Sequence, residues 1–293
     1  MDAGGSMAST SKLRLVAEAV IFRHTLFSLP FALAAVLLET GGRPSAWKLI
    51  WIVVAVVSGR NAANAVNRII DRDIDAANPR TAARHIPSGA LDVRDLRVFA
   101  AAMLALLVLA TAMLGWLCVA FLWVPGIAIF GYSYTKRFTW LCHFWLGATC
   151  AIATMGSLIA VSGRIFELRY FVLSAAVASW VAGFDIIYAL QDMEVDRAQG
   201  LHSIPERFGP IWARLIAAGT HCATLVLLAS LPLFWKLGPA YLVGVGAAAV
   251  LIAAEHLIAL RPTERHIRIA AYGINEIVPL VVLAGACVDI FLH

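Results

Sequence analysis

The chain reads as an all-α, polytopic membrane protein, one bundle of nine transmembrane helices. Two observations predict this. Of its 293 residues, 61% are hydrophobic and only 14% charged, with a mean hydropathy of +0.82, whereas soluble domains hold about 45–50% apolar and 25% charged residues. Apolar residues also run nearly without interruption, as over Ala100–Leu114 and Ala240–Ala254, where a transmembrane β-barrel would show short alternating segments. Composition excludes a soluble globular enzyme. Because an apolar span of roughly 20 residues crosses the hydrocarbon core, the chain has room for about eight to ten crossings plus loops.

Breaks at charges, Pro and Gly place each span in turn. The first, 15–38, ends before Gly41-Gly42, and the second, 47–66, runs into an acidic segment. Spans 97–115 and 117–134 are separated at Gly115, with Lys136 and Arg137 closing the pair. Next come 141–161, ending at Gly163-Arg164, and 169–190, which again runs into acids. The last three are 211–233 after Gly209-Pro210, 239–260 from Pro239 to Arg261, and 270–291 after Arg268. Residues 1–14 form a polar tail, so 15–293 is a single membrane domain. A cleaved signal peptide is the minor alternative for the N-terminus.

Nine crossings put the termini on opposite sides. One side then collects Lys12, Arg14 and Arg23, six arginines of the 67–97 connection, Lys136 and Arg137, the arginines of 191–214, and Arg261, Arg265 and Arg268. Arg43, Lys48, Arg164, Arg169 and Lys236 fall on the other, while Arg60 lies within the second span. The positive-inside rule makes the first side cytoplasmic. A multi-pass protein of a bacterial plasma membrane is expected, its two long connections facing the cytoplasm.

The formal charge of +5 carries no basic tract with interleaved aromatics, so nucleic acid is not an expected partner. No obligate protein partner is evident. Cys118, Cys142, Cys150, Cys222 and Cys287 stand singly in apolar stretches without metal-ligand spacing and read as core residues.

Chemistry concentrates in two acidic rows. Asn67, Asp71 and Asp75 recur at a four-residue step, which aligns them on one helical face. Tyr188, Asp192 and Asp196 repeat that step, with Asp185 on the same face seven residues before Asp192. Stacked carboxylates repel and call for a cation. Hard Mg²⁺ is bound through one or two carboxylates plus substrate phosphates, so two facing rows fit a pair of ions bridging a diphosphate. Calcium is disfavoured without an EF-hand loop, and zinc without His or Cys in either row. The plain alternative is a pair of solvated charge clusters ending two spans.

Arg72, Arg80 and Arg84 follow the first row, Lys136 and Arg137 follow Tyr132-Ser-Tyr134-Thr135, and Arg197 follows the second. Guanidinium forks match phosphate oxygens and Lys acts as a point charge, though every one also fits the positive-inside bias. Mg²⁺ and these cations would stabilise a departing pyrophosphate, leaving an allylic cation for a membrane-soluble acceptor, with an apolar cavity shielding it from water. Phe27, Phe31, Phe130, Tyr132, Tyr134, Trp140, Phe144 and Trp145 are candidate lining residues, with membrane anchoring as the alternative. Tyr188 is the favoured one, since it shares a face with the acids.

These strings resemble the UbiA family of intramembrane prenyltransferases over nearly the whole chain: Asn67-x3-Asp71-x3-Asp75 with Asn78-Pro79-Arg80-Thr81 and Arg84-His-Ile-Pro87-Ser-Gly89, then Tyr134-Thr-Lys136-Arg137, and Asp185-x2-Tyr188-Ala-x2-Asp192-x3-Asp196 with Gly200. The resemblance implies nine helices around a cavity, two Mg²⁺ ions on the Asp motifs, and transfer of a polyprenyl chain from its diphosphate to an aromatic acceptor. Asp71, Asp75, Asp192, Asp196 and Asn67 are the expected metal ligands. Arg72, Arg80, Arg84, Tyr134, Lys136, Arg137, Asp185, Arg197 and His202 are the expected substrate contacts. Within the family, 4-hydroxybenzoate polyprenyltransferases and the 1,4-dihydroxy-6-naphthoate prenyltransferases of menaquinone synthesis are the similar branches. His24-Thr-Leu-Phe-Ser-Leu-Pro30 and Gly200-Leu-His202-Ser203 resemble the second, because the ubiquinone-type pattern has Lys-Ser after that glycine. His202 either contacts diphosphate or caps a turn.

Glu255, His256, Asn275 and Glu276 read as hydrogen-bonding glue between helices, and His143 and His221 as isolated residues satisfied by neighbours. Asn64 is placed to support the first row from the turn before it. Two other classes fit the composition. A cation transporter would place acids near the bilayer midplane within broken-helix repeats, and a terpene cyclase on the same fold would need no acceptor.

Overall fold

The computed structural model describes residues 14–20, 25–261 and 263–292, so most of the expected N-terminal tail and His24 lie outside the described residues. After a helical stretch over 14–19, the helices are α1 (Thr25–Thr40), α2 (Ala46–Ile70), α3 (Arg72–Ala77), α4 (Val93–Leu114), α5 (Trp116–Ala120), α6 (Trp123–Thr135), α7 (Cys142–Ser162), α8 (Leu168–Ala189), α9 (Met193–Ala198), α10 (Ile204–Ala229), α11 (Pro239–Ala259), α12 (Glu264–Arg268) and α13 (Val278–Leu292). No strand occurs among the described residues.

Of the nine expected spans, seven are long and apolar enough to cross a membrane among the described residues. The first and last are shorter apolar helices. α1 holds 16 residues and is closed by Gly41 and Gly42, both at positive φ. In the last span, a π-helical stretch over Ile269–Ile274 precedes α13, so the expected 270–291 run divides in two. The expected helix 117–134 divides into α5 and α6 around Phe121 and Leu122. α10 starts seven residues before the expected 211, because the Ser203 hydroxyl caps its N-terminus by accepting the Glu206 N–H; Gly209-Pro210 only kinks it.

Around the bundle, α2 packs on α4 and α6, α6 on α7, α7 on α8, α8 on α10, and α11 on α13, with α1 between α7 and α13. Lipid supplies no hydrophobic drive between helices, so close approach at small residues holds them. A Cβ on Gly147 of α7 would lie 2.2 Å from the Ala178 carbonyl oxygen of α8. Replacing Gly147 by Val should therefore cost about 1–3 kcal/mol through overpacking; an unchanged unfolding midpoint in detergent would remove the glycine from this role. Trp180, Tyr170, Phe27, Phe31 and Tyr241 fill the largest core cluster, while Trp116, Phe166, Leu215, Leu233, Val243 and Val250 face outward, as a lipid-facing surface requires.

Candidate active site

The first acidic row spans the junction of α2 and α3. The α-helical step persists through it: the Asp71 N–H donates to the Asn67 carbonyl (2.9 Å) and the Asp75 N–H to the Asp71 carbonyl (2.7 Å). Asn67, Asp71 and Asp75 accordingly share one face, while Asp73, out of step, is exposed and meets Arg72 at 3.3 Å. The second row bends instead. A 3₁₀ turn over Leu190–Asp192 joins α8 to α9, a tightening often found at functional sites, and Tyr188, Asp192 and Asp196 still line the same space.

Both rows line one polar cavity of about 240 Å³ between α2, α6, α7 and α8. Four of the five carboxylates that line it hold an Arg or Lys. Arg80 crosses to the second row and forks onto Asp192, Nε to Oδ1 at 2.9 Å and Nη2 to Oδ2 at 2.6 Å, while Nη1 donates to the Tyr188 hydroxyl at 2.7 Å. Arg84 Nη1 meets both Asp75 oxygens at 2.6 and 2.7 Å. Arg137 Nη2 donates to Asp71 Oδ1 at 3.1 Å, and Lys136 lies 3.7 Å from Asp196. Asn67 donates to Asp71 Oδ2 at 2.6 Å. Burial pushes the Asp71 carboxyl above the usual carboxylate range, and Lys136 and Arg137 oppose that shift.

Carboxylate and amide oxygens from Asn67, Asp71, Asp75, Asn78, Asp192 and Asp196 surround this space, a hard donor set that fits Mg²⁺ rather than a soft metal. Among the described residues no three acidic, His or Cys groups converge on a single point. That spacing suits an ion bound by one or two carboxylates and completed by substrate phosphates.

A model of the UbiA prenyltransferase family matches residues 28–275. The chain belongs to the UbiA prenyltransferase family. It is 34% identical over 260 residues to the 4-hydroxybenzoate octaprenyltransferase of Xanthomonas euvesicatoria pv. vesicatoria (strain 85-10), covering 87% of this chain and 84% of that one. Among solved structures, the apo UbiA homolog from Aeropyrum pernix K1 matches with a TM-score of 0.83 at 32% identity, over 91% of this chain and 98% of that one. A UbiA homolog from Archaeoglobus fulgidus, solved bound to GPP and Mg²⁺, shares the fold at a TM-score of 0.69 and 18% identity, over 94% and 99% of the two chains.

Not every expected contact of this UbiA chain reaches the cavity wall. Arg72 points away to Asp73, Arg197 donates to the Glu206 carbonyl, and the exposed Tyr134 ring carries Arg137 at 5.3 Å. His202 is exposed, and its backbone N–H donates to the Lys136 carbonyl at 2.7 Å. The main chain there, not the imidazole, ties the two connections together. Of the candidate aromatics, Phe27 and Tyr132 line the cavity, whereas Phe130, Phe144 and Trp145 are exposed.

Three wall residues were not singled out by spacing. Asn78 donates to Asp192 Oδ1 at 3.0 Å while its side-chain Oδ1 accepts the Arg80 N–H; the polar string Asn78-Pro79-Arg80 was the available signal. His143 meets Asp185 at 2.7 Å. Arg60 lines both the polar cavity and a second, largely apolar one of about 220 Å³, walled by Ile52, Val56, Leu107, Leu114, Phe121 and Ile159 among others. An arginine inside a span is itself a sign of function.

Proposed function

We propose that this chain transfers a polyprenyl group from its diphosphate to the ring of a hydroxylated aromatic acid, at the acid-lined cavity. One observation carries the reading: two carboxylate rows and five basic side chains, Arg60, Arg68, Arg80, Arg84 and Lys136, line a polar cavity that shares Arg60 with an apolar one. Asp71, Asp75, Asp192 and Asp196, with Asn67, would hold Mg²⁺, which supplies the positive charge that lets pyrophosphate depart. Arg80, Arg84, Lys136 and Arg137 offer donors to the diphosphate oxygens. The apolar cavity takes the isoprenoid tail and keeps water from the allylic centre. Arg60, at the junction, meets the carboxylate of the aromatic acid.

The Xanthomonas relative's name favours 4-hydroxybenzoate as acceptor, and the GPP and Mg²⁺ bound to the Archaeoglobus homolog favour this donor and metal. The Gly200-Leu-His202-Ser203 string favours 1,4-dihydroxy-6-naphthoate as the second reading. We also place the two shorter apolar helices in the bilayer, completing nine segments, with the acid-lined ends cytoplasmic. Proteoliposomes given labelled prenyl diphosphate should prenylate one of these two acids only with Mg²⁺. Turnover after chelation, or product formed without any aromatic acid, would overturn the reading, and cation flux without transfer would point to a transporter.

A further inference from the structure

Asp185 differs from every other acid in the cavity. Asp71, Asp75, Asp192 and Asp196 each hold an Arg or Lys, whereas among the described residues the polar partner of Asp185 is the imidazole of His143, with Nδ1 2.7 Å from Oδ2. Asp185 lies within α8, two helical turns before Asp192 in the 3₁₀ turn that ends it, and so on the membrane-interior side of the second row. Phe27 and Phe184, stacked at 5.4 Å between centroids, line the wall near it with Val181 and Leu146. An aromatic ring can pack against the edge of such a pair.

His143 is fixed in its turn. It is buried, and its Nε2 faces the backbone N–H of Ile204 at 3.3 Å, the first residue of α10. Receiving that N–H leaves Nε2 without a proton, so the proton sits on Nδ1 and is donated to Asp185, an assignment made from the hydrogen-bond network. The close approach of α7 and α8 at Gly147 and Ala178, one turn from His143 and two from Asp185, sets the distance between them. One carboxylate oxygen is thereby occupied, and the side chain keeps 24% of its surface open.

We propose that Asp185, oriented by His143, takes up the ring hydroxyl of the acceptor, with Asp185 as catalytic residue and His143 as positioning residue. The inference rests on the transferase reading above. As the ring carbon beside the hydroxyl bonds to the allylic carbon, the C–O bond to diphosphate breaks and its electron pair leaves on pyrophosphate. The hydroxyl proton passes to Asp185. Loss of the hydrogen from the attacked ring carbon, carried off by pyrophosphate, restores aromaticity as Asp185 returns its proton to the oxygen. A carboxylate already held by a guanidinium would be a weaker base for this step.

The test uses the full-length protein in proteoliposomes, with geranyl diphosphate and Mg²⁺ as donor and 4-hydroxybenzoate and benzoate as acceptor probes. Asp185→Asn should lower kcat for transfer about 10²-fold or more, while the Kd for geranyl diphosphate with Mg²⁺ stays within about threefold. Preference for 4-hydroxybenzoate over benzoate in competition binding should vanish. His143→Leu should lower kcat about tenfold at little change in the donor KM, and His143→Gln, whose amide can both donate to Asp185 and accept from Ile204, should return to within about threefold of the wild type. Should Leu prevent folding, His143→Asn, too short to bridge both partners, gives the same ranking below Gln. Undiminished transfer by Asp185→Asn, joint loss of transfer and donor binding, or His143→Gln falling as far as Leu or Asn would overturn the proposal. Wild-type protein that fails to bind geranyl diphosphate with Mg²⁺ would instead sink the transferase reading on which it stands.

Discussion

Replacing Asp192 by Asn should lower prenyl transfer about 10³-fold, the scale of lost electrostatic stabilisation at a departing anion, equivalent to roughly 4 kcal/mol in the barrier. The side chain keeps its size, so packing is preserved. What changes is charge: the carboxylate that would carry Mg²⁺ becomes an amide, and an amide donor now faces the Arg80 fork and the Asn78 amide. Asp71→Asn should behave alike, since Asp71 is the matching acid of the opposite row and both line the same cavity. Labelled prenyl diphosphate and aromatic acid, with Mg²⁺ varied, provide the measurement. Wild-type turnover in either variant would detach the acid rows from the chemistry.

How much of this was legible beforehand depends on the range of the interaction. The four-residue step of Asn67, Asp71 and Asp75 is a local property of one helix, so spacing alone put them on one face and left Asp73 off it. Composition gave the membrane bundle for a similar reason, since each apolar run reports its own burial in lipid. Partnerships across the fold had no such signature. Arg80 reaching Asp192 links positions 112 apart, and the sequence presents that arginine as a candidate phosphate contact without any sign of its carboxylate partner. His143 looked isolated because its partners, Asp185 and the Ile204 N–H, lie on α8 and α10. The last span was misjudged where the π-helical stretch over Ile269–Ile274, a local conformational choice, divides the apolar run.

Arg80→Met is the variant with the second large effect, and it separates stability from activity. Arg80 and Asp192 keep 21% and 15% of their side-chain surface exposed, so stranding the carboxylate should cost about 1–3 kcal/mol, less than the roughly 3–5 kcal/mol of breaking a fully buried pair. Removing both charges in Arg80→Met with Asp192→Asn should recover most of that loss, because no uncompensated charge remains. Transfer should stay about 10²-fold or more below wild type in both proteins. Unfolding midpoints of the four members of the cycle, measured in detergent with and without geranyl diphosphate and Mg²⁺, test this directly. A double variant as unstable as the summed singles would mean that Arg80 and Asp192 act independently. The expected coupling has a physical basis: a guanidinium fork fits a phosphate as well as a carboxylate. Before substrate arrives, Arg80 neutralises an acid in a low-dielectric wall, and once a diphosphate and its metal occupy the cavity, the same fork is free to turn to the phosphate oxygens while the acid turns to the metal.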